Sequence, residues 1–274
     1  MADNVTVIEP RKGFIPVDLR EIWKYRELLY FLAWRDVKVK YKQAVIGIVW
    51  AVLQPVLTMV VFSVIFGRFA GMPSEGVPYP VFVYAGLLPW QYFAAVLTQS
   101  TSSVVSEKNL ITKIYFPRII MPASSAVSVF LDFFISALVF GAIMVYYGVK
   151  PGLGIFLVPI LMSFVMMNAV GFGLWFSALN VRYRDIQYAI PFFVQIWMFV
   201  TPVIYPAGLL SEKYKMILML NPMSGVIEAI RAAVLGHVDI PWASLAVSAV
   251  CGFAVFVSGV FYFRRVERYF SDVV

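Results

Sequence analysis

The stretch KVKYKQAVIGIVWAVLQPVLTMVVFSV, residues 38–64, decides how the chain is organised. Three lysines at its start precede a run without charge that extends from Gln43 to Gly67. About 20 apolar residues are enough to cross a bilayer as a helix, so this run of about 25 predicts a first membrane span. Because lysines favour the cytoplasmic side of a membrane, the junction also predicts that this span starts in the cytoplasm.

The composition indicates a protein that lies in the membrane over most of its length. Of the 274 residues 61% are hydrophobic and 14% are charged, and the mean hydropathy is +0.83. Soluble domains have about 45–50% apolar and about 25% charged residues. The net charge of +7 could indicate nucleic-acid binding in a soluble protein, but membrane topology explains cations that lie in loops. Cys251 is the single cysteine, so an internal disulfide is excluded, and we expect it to pack as a small residue.

The segment before the first span divides into two parts. Residues 1–19 are polar and are interrupted by proline and glycine, which predicts a flexible cytoplasmic tail. Over residues 20–42, basic residues alternate with aromatic ones such as Trp23 and Trp34, a pattern typical of an amphipathic helix in the membrane interface. A helix that packs on a soluble partner is the alternative, and the two are compatible. Residues 43–274 are predicted to form one transmembrane domain.

The transmembrane domain contains six apolar segments, which predict an all-α integral membrane protein with six transmembrane helices. A longer segment between the last two, residues 206–235, mixes proline and glycine with apolar runs, and predicts short re-entrant helices at the outer side. The predicted spans are about Val45–Phe66, Pro80–Ser102, Ile119–Tyr147, Leu153–Leu179, Ile186–Tyr205 and Trp242–Phe263.

The distribution of lysine and arginine orients these spans. Seventeen of the 22 lie in the N-terminal segment, in the loops after spans 2 and 4 and at the C-terminus, and five lie on the opposite side, Arg231 among them. Cytoplasmic loops carry the excess of these residues in membrane proteins. Both termini are therefore predicted to be cytoplasmic.

The sequence contains neither a GxxxxGK[ST] phosphate loop nor a glycine-rich dinucleotide fingerprint. The single histidine, His237, lies near Asp239 without a cluster of cysteines or further histidines around it. No pattern of paired carboxylates or nucleophiles indicates acid–base or covalent catalysis. We therefore expect no ATPase, no enzymatic activity and no cofactor or metal site in this chain, so uphill transport would draw on a gradient or on a partner.

Asp132, in VFLDFFISALVF, is the exception to spans that otherwise contain almost no ionisable residues. A lone carboxylate in the middle of a helix costs about 2.5–3.5 kcal/mol on insertion scales and should face protein or water. It could act in a pore or gate, or it could be a hydrogen-bonded group packed against Gln, Ser or Asn of another span. One such residue gives little support for a gradient-driven carrier.

Two loops on the predicted cytoplasmic side could contact a partner. The first, SEKNLITKIYFPRIIMP at 106–122, predicts a short amphipathic helix that Ser106 could cap. Held between two spans, such a helix could transmit force from a soluble partner, or the segment could be a solvated, positively charged loop. The second, NVRYRD at 180–185, could be a partner contact or a salt-bridged connector.

Aromatic residues form 17% of the chain, and many lie near predicted span ends. An interfacial belt accounts for such positions. Some of these rings could instead face a channel, in which the apolar faces of sugar rings slide over aromatic surfaces.

Six stretches together give the chain a specific resemblance over nearly its whole length. It resembles the membrane subunit of bacterial type-2 ABC polysaccharide exporters, which include O-antigen, capsule and teichoic acid permeases, and it is most similar to the O-antigen permeases. The stretches are RELLYFLAWRDVKVKYKQAVIGIVWAVLQPV (26–56), FVYAGLLPWQYF (82–93), EKNLITKIYFPRIIMP (107–122), ALNVRYRDI (178–186), FFVQIWMFVTPVIYP (192–206) and NPMSGVIEAIR (221–231).

The resemblance implies a homodimer that pairs with two copies of a separate nucleotide-binding ATPase, which would bind ATP and Mg. The cargo it implies is an undecaprenyl-linked glycan that crosses the bacterial inner membrane through a channel in the dimer. It implies no nucleic-acid partner. The alternatives are another cargo for the same class of permease (teichoic acid, capsule, drug or lipid), a gradient-driven carrier and, least favoured, a membrane-embedded enzyme.

The resemblance also assigns roles to residues. The segment 107–116 is similar to a coupling helix that docks on the ATPase, and 206–235 to outward gate helices. Contacts with the ATPase are expected at Glu107, Lys108, Asn109, Leu110, Arg182, Tyr183, Arg184 and Asp185. The channel or gate is expected to include Trp50, Phe62, Phe66, Trp90, Tyr92, Phe93, Asp132, Trp197 and Tyr205. A basic cluster expected to attract the lipid pyrophosphate consists of Arg35, Lys38, Lys40 and Lys42.

Overall fold

The computed structural model describes residues 19–42, 45–268 and 270, and all regular secondary structure in these ranges is helical. The predicted tail, residues 1–19, therefore lies outside the described residues except for Leu19. The helices are α1 (Leu19–Lys24), α2 (Arg26–Lys42), α3 (Val45–Phe62), α4 (Tyr79–Ser106), α5 (Lys108–Lys113), α6 (Ile120–Tyr146), α7 (Val158–Arg182), α8 (Ile186–Val200), α9 (Glu212–Met219), α10 (Ser224–Leu235) and α11 (Trp242–Glu267).

Five of the described helical segments are long and apolar enough to cross a membrane, which confirms an all-α membrane protein. The first includes a π-helical continuation of α3 over Ser63–Phe69, and the fourth includes a 3₁₀ turn at Leu153–Leu157 before α7. The spanning segments are Val49–Phe69, Tyr79–Ser106, Ile120–Tyr146, Leu153–Arg182 and Trp242–Glu267.

The fifth predicted span, Ile186–Tyr205, is helical only as far as Val200. Its helix α8 has 15 residues, so it is about 22 Å long, whereas the hydrocarbon layer is about 30 Å thick. The helix ends because Thr201 is extended and Pro202 has no N–H to donate to the preceding turn. The segment from Thr201 to Ile204 is nevertheless buried.

The segment between α8 and α11 forms two helices instead of one span. Helices α9 and α10 meet at an angle of 94° across a short break that contains Asn221 and Pro222. Proline cannot continue the preceding helix, which accounts for the break. This agrees with the prediction of short re-entrant helices over residues 206–235.

Helix α4 lies at the centre of the bundle, in contact with α3, α6, α7, α8 and α10. In its most apolar window 78% of the residues are buried, compared with 11% for the α3 segment. Close approach to α7 depends on Gly173, where an added Cβ would lie 2.7 Å from that of Ser100. Small residues allow such backbone proximity between membrane helices. Helix α4 is therefore the core of the protomer, and α3 lies at its edge.

The predicted interfacial helix, residues 20–42, is divided into α1 and α2 at Tyr25. The Tyr25 amide still donates to the carbonyls of Glu21 and Ile22, so the break is small. Helix α2 packs along α6. Trp23 on α1 and Tyr30 and Trp34 on α2 remain exposed, as expected of rings that meet a membrane interface or a partner.

The end of the bundle predicted to be cytoplasmic brings together α1, α5 and the ends of α4, α7 and α11. The Tyr115 hydroxyl donates to the Glu21 carboxylate at 3.3 Å, and the Arg118 guanidinium donates to the Glu267 carbonyl at 2.6 Å. A buried apolar cluster around Phe116 and Phe263 fills the space between them. The loop that follows α4 and the loop that follows α7 therefore lie at the same end.

Candidate functional site

A cavity of about 510 Å³ opens between α2, α3, α4, α6 and α8. Within the described part of the chain, Lys40 and Asp132 are the charged residues in its wall. The other polar groups are amides and hydroxyls, which can donate and accept hydrogen bonds without holding a fixed charge. They are contributed by Gln54, Gln91, Tyr92, Thr98, Gln99, Ser102, Ser136 and Gln195.

These amides were missed by the sequence-based assignment, which selected aromatic rings for the channel. Gln54 and Gln195 are exposed to the cavity side of α3 and α8, and Gln91 is half-buried on α4. An uncharged amide in an apolar span is itself a signal, because polar side chains in membrane helices usually face protein or water. Three such residues in three neighbouring spans could therefore have identified the cavity.

Asp132 is paired within the protomer. Its carboxylate lies 2.5 Å from the Lys40 ammonium and also accepts a hydrogen bond from the Tyr41 hydroxyl. Burial raises the pKa of Tyr41, and its bond to Asp132 adds to this, so the phenol stays protonated and acts as a donor. The partners are on α2 and are not the Gln, Ser or Asn of another span that the sequence suggested. The pair fixes the end of α2 to the middle of α6 and makes the cavity wall neutral overall.

We expect the Lys40–Asp132 pair to be energetically coupled by about 1 kcal/mol, because both side chains are only partly exposed and their geometry is direct. In detergent, Lys40→Ala and Asp132→Ala should each lower the free energy of unfolding, and the double variant should cost less than the sum.

Lys38→Ala is the matched control, since Lys38 lies on another face of α2. Its effect should add to that of Asp132→Ala. A double-mutant cycle with no coupling for Lys40 would contradict the pair.

Of the four cations predicted as one lipid-headgroup cluster, Arg35, Lys38 and Lys42 line one depression, whereas Lys40 points into the cavity. Arg35 binds Asp36 at 2.8 Å and Glu107 at 2.7 Å, and Lys40 binds Asp132. The hydrogen bond to Glu107 raises the pKa of Arg35 further above its ordinary value. Lys38 and Lys42 are exposed. Lys40 is not part of this group, because residues two apart on a helix point in nearly opposite directions.

The residues predicted to contact an ATPase lie at one end of the bundle. Glu107 precedes α5 and binds Arg35, Lys108 is exposed, and Leu110 is half-buried against the apolar cluster. The side chain of Asn109 lies outside the described residues. The predicted Ser106 cap is wrong, because the Ser106 hydroxyl donates to the Ser103 carbonyl at 3.1 Å and Glu107 occupies the N-cap position.

The second loop, residues 182–185, lies at the surface. Arg182, Tyr183, Arg184 and Asp185 are all exposed, and the Arg182 guanidinium lies over the Tyr183 ring at 5.4 Å. No salt bridge within the loop is present among these described residues. This leaves both loops available to a partner at the same end.

The aromatic residues predicted for the channel divide into two groups. Trp90 and Phe93 are buried, with exposed fractions of 2% and 0%, in a cluster with Phe172 and Trp197. In this structure Trp90 and Phe93 pack in the protein core and are not part of the cavity wall. They are buried because α4 is surrounded by other helices, which an apolar pattern alone does not reveal.

The remaining rings have different surroundings. Tyr92 lies in the cavity wall, with its hydroxyl bonded to the Ala126 carbonyl at 2.9 Å, and Trp197 is half-buried and donates to Asn221 at 3.3 Å. Tyr205 is half-buried and donates to the Val200 carbonyl at 3.1 Å. The other predicted rings, Trp50, Phe62 and Phe66, are exposed or partly exposed on α3 and its continuation.

Arg231 is not the outer-loop cation that the charge distribution suggested. It lies in α10 with 2% of its surface exposed. Its guanidinium donates to the carbonyls of Pro202 at 2.8 Å and Val203 at 2.7 Å, and its central carbon is 3.9 Å from the centre of the Phe82 ring. Arg231 thus connects α10 with the residues that follow α8.

A metal site is not indicated within residues 19–42, 45–268 and 270, since no three His, Cys, Asp or Glu side chains are close enough to share an ion. A cavity of about 290 Å³ near Arg231 contains Glu75, Glu228 and Asp239 together with Lys215.

Comparison with known proteins places the chain in a family of membrane transporters. Residues 27–235 match the ABC-2 type transporter family. The O-antigen export system permease protein RfbA of Klebsiella pneumoniae is 27% identical over 249 residues, which cover 90% of this chain and 95% of the relative. The protein of the same name from Myxococcus xanthus is 29% identical over 222 residues, 80% and 84% of the two chains. The polysialic acid transport protein KpsM of Escherichia coli is 22% identical over 209 residues, 73% and 78%. The chain belongs to the ABC-2 type transporter family.

Proposed function

We propose that the chain is the membrane subunit of an ATP-driven exporter that moves a lipid-linked polysaccharide across the bacterial inner membrane. An O-antigen is the cargo that we favour. Two of the relatives are named as O-antigen export permeases, and they align over most of their length. The observation that carries the proposal is the cavity lined by neutral amides and hydroxyls.

The chemistry of this wall suits a sugar polymer. Amides and hydroxyls match the donors and acceptors of sugar hydroxyls. Each such hydrogen bond contributes only about 0.5–1.5 kcal/mol net, so a polymer can be released at every step. The neutral Lys40–Asp132 pair leaves no net charge among the described residues of the wall that would retain one segment of the glycan.

A homodimer would complete the cavity. Its walls include α3 and α8, and both helices have exposed apolar faces: Trp50, Leu57, Phe192 and Phe199 are between 46% and 67% exposed. A second copy packed against α3 and α8 would bury these faces and place two cavities opposite each other. Trp50 and Phe62 would then lie along the resulting channel.

A separate ATPase would act at the end that carries α5 and residues 182–185. Glu107, at the start of α5, is joined by Arg35 to helix α2. A force on α5 would therefore reach α2 and, through Lys40, the middle of α6. In this proposal the partner subunit binds ATP and Mg, and both termini of this chain are cytoplasmic.

The lipid pyrophosphate would bind first at Lys40. Among the described residues, Lys40 is the cation in the cavity wall. A phosphate would compete with the Asp132 carboxylate for the ammonium, because both are anionic acceptors. Lys40 is thus retained from the predicted headgroup cluster, and Arg35 is assigned to the connection with α5.

A gradient-driven carrier is a weaker alternative. Such a carrier needs an ionisable residue that changes its charge during transport. Asp132, the candidate in the sequence, is held by Lys40 and Tyr41.

The proposal is tested with the double variant Gln54→Leu/Gln195→Leu in vesicles that contain the permease, its ATPase and the lipid-linked glycan. Loss of two hydrogen-bonding amides should lower glycan export about tenfold, while ATP hydrolysis should stay within about twofold of the wild type because the amides are far from α5.

The control is Ser163→Leu, the same change from polar to apolar on an exposed face of α7. It should leave export unchanged. Full export by the Gln54→Leu/Gln195→Leu variant would contradict the assignment of this cavity to the glycan.

A further inference from the structure

Helix α2 presents its lysines on two different sides. Trp34, Lys38 and Lys42 follow each other at intervals of four residues and share one face, with the Lys38 ammonium 5.6 Å from the centre of the Trp34 ring. Lys40 is displaced by about 200° from Lys38 and points to the cavity and Asp132. Lys38 and Lys42 are therefore separate from the proposed transport site.

An apolar groove of about 280 Å³ runs beside these lysines, between α2 and α6. It adjoins a second depression of about 470 Å³ that includes Arg35, Lys38 and Lys42, and Trp34 lies in both. Arg35 is paired with Asp36 and Glu107. The ring of Phe134 is 54% exposed and that of Phe130 is 48% exposed, so the groove is open to the surroundings. Its main apolar walls are Tyr30, Trp34 and Val37 on α2 and Phe130, Leu131 and Phe134 on α6.

The groove and the polar cavity lie on different faces of α6. Val129, Asp132 and Phe133 face the cavity, whereas Phe130 and Phe134 face the groove. The two sets are about 125° apart around the helix. The Phe130 ring also packs against the Tyr92 ring of the cavity wall, at 6.2 Å between their centres, so side chains stand between a molecule in the groove and the cavity.

We propose that this groove binds an anionic phospholipid of the surrounding bilayer. Its phosphate contacts Lys38 and Lys42, and one acyl chain lies between α2 and α6 against Phe130 and Phe134. Charge complementarity selects an anionic headgroup, since two exposed lysines stand at the end of an apolar groove. The bilayer lipid, and not the transported carrier, is the occupant because the groove does not lead into the cavity. Trp34 provides an amphipathic ring at the boundary between headgroup and chain.

The test uses quenching of Trp34 fluorescence by brominated lipid in nanodiscs that contain the full-length chain. Because the chain has seven tryptophans, the Trp34 signal is taken as the difference between wild type and Trp34→Phe. Brominated phosphatidylglycerol and brominated phosphatidylcholine are compared at equal mole fractions. We expect phosphatidylglycerol to be preferred, and the preference to fall about fivefold for each lysine removed in Lys38→Gln and Lys38→Gln/Lys42→Gln.

The control variant Lys24→Gln/Lys150→Gln removes the same charge away from the groove and should keep the preference. Equal quenching by both lipids in the wild type would overturn the proposal, as would a preference that survives Lys38→Gln/Lys42→Gln. Two further results would also overturn the proposal. Quenching of Trp34 by neither lipid would show that another protein surface covers the groove. Displacement of brominated phosphatidylglycerol by equimolar undecaprenyl phosphate would assign the groove to the carrier lipid. Because the readout is independent of export, these outcomes do not depend on the proposed function.

Discussion

Replacement of Arg231 by methionine is expected to lower the free energy of unfolding by about 2–4 kcal/mol, because two hydrogen bonds from a charged donor are lost. The guanidinium holds the carbonyls of Pro202 and Val203, and it packs on the Phe82 ring. Methionine has a similar length but no donor. Relief of the cost of burying a charge offsets part of the loss.

Loss of the Arg231 guanidinium should also change the mobility of the segment after α8. Residues 201–204 follow α8 without regular helix, and Arg231 is the side chain that ties Pro202 and Val203 to α10. Without it, the outer end of the segment that begins with α8 should become mobile. Unfolding in mixed micelles, together with hydrogen exchange at residues 201–205, measures both effects.

Two variants serve as controls for Arg231→Met. Arg231→Lys keeps the charge and should recover part of the stability. Lys213→Met removes an exposed cation from the same region and should change the stability by less than about 0.5 kcal/mol. Equal stability of Arg231→Met and the wild type would mean that the buried guanidinium is not a structural connection.

The variant Gly225→Ala is expected to be the most damaging single-methyl substitution at the outer end. An added Cβ would lie 2.3 Å from the carbonyl oxygen of Ser244 and 2.5 Å from its carbonyl carbon. The obstacle is the backbone of the segment that begins α11, so no side-chain rotation relieves it. The two helices must move apart, and overpacking of this kind costs about 1–3 kcal/mol or more.

Separation of α10 and α11 would also break a second contact. The Gly225 amide donates to the Ser248 hydroxyl at 3.0 Å, and that hydroxyl donates to the Asn221 carbonyl at 3.2 Å. We therefore expect Gly225→Ala to reduce the yield of folded protein and the thermal midpoint in detergent. Gly141→Ala is the control, because this helical glycine in α6 has open space around it, and it should be neutral or slightly stabilising. A Gly225→Ala protein as stable as Gly141→Ala would contradict the packing of α10 on α11.

The hydropathy pattern was sufficient to predict the helical segments, because each apolar run must satisfy its own backbone hydrogen bonds in lipid. The break between α9 and α10 was likewise predictable from Pro222 and its neighbours. The length of α8 was not predictable from the pattern. The residues after Val200 leave the helix, and their conformation depends on the bond from Arg231, a residue distant in sequence, to the Pro202 carbonyl.

The site residues were predicted less accurately than the helices, because hydropathy does not show which face of a span packs against protein. Trp90 was assigned to the channel from its place near a span end, yet α4 is enclosed and buries it. Lys38 and Lys40 were grouped because they are close in sequence, although the helix turns them to different sides. The pairing of Asp132 with Lys40 joins residues that are 92 positions apart, and no local pattern reports such a contact.

The central claim is that this chain is a passive conduit powered by a separate ATPase, and reconstitution with and without that partner measures it directly. In vesicles that contain the purified chain alone, we expect no ATP hydrolysis and no glycan movement under an imposed proton or sodium gradient. Addition of the ATPase and ATP should start export of the lipid-linked glycan. Nucleotide hydrolysis by the chain alone, or gradient-driven transport without the partner, would contradict the claim.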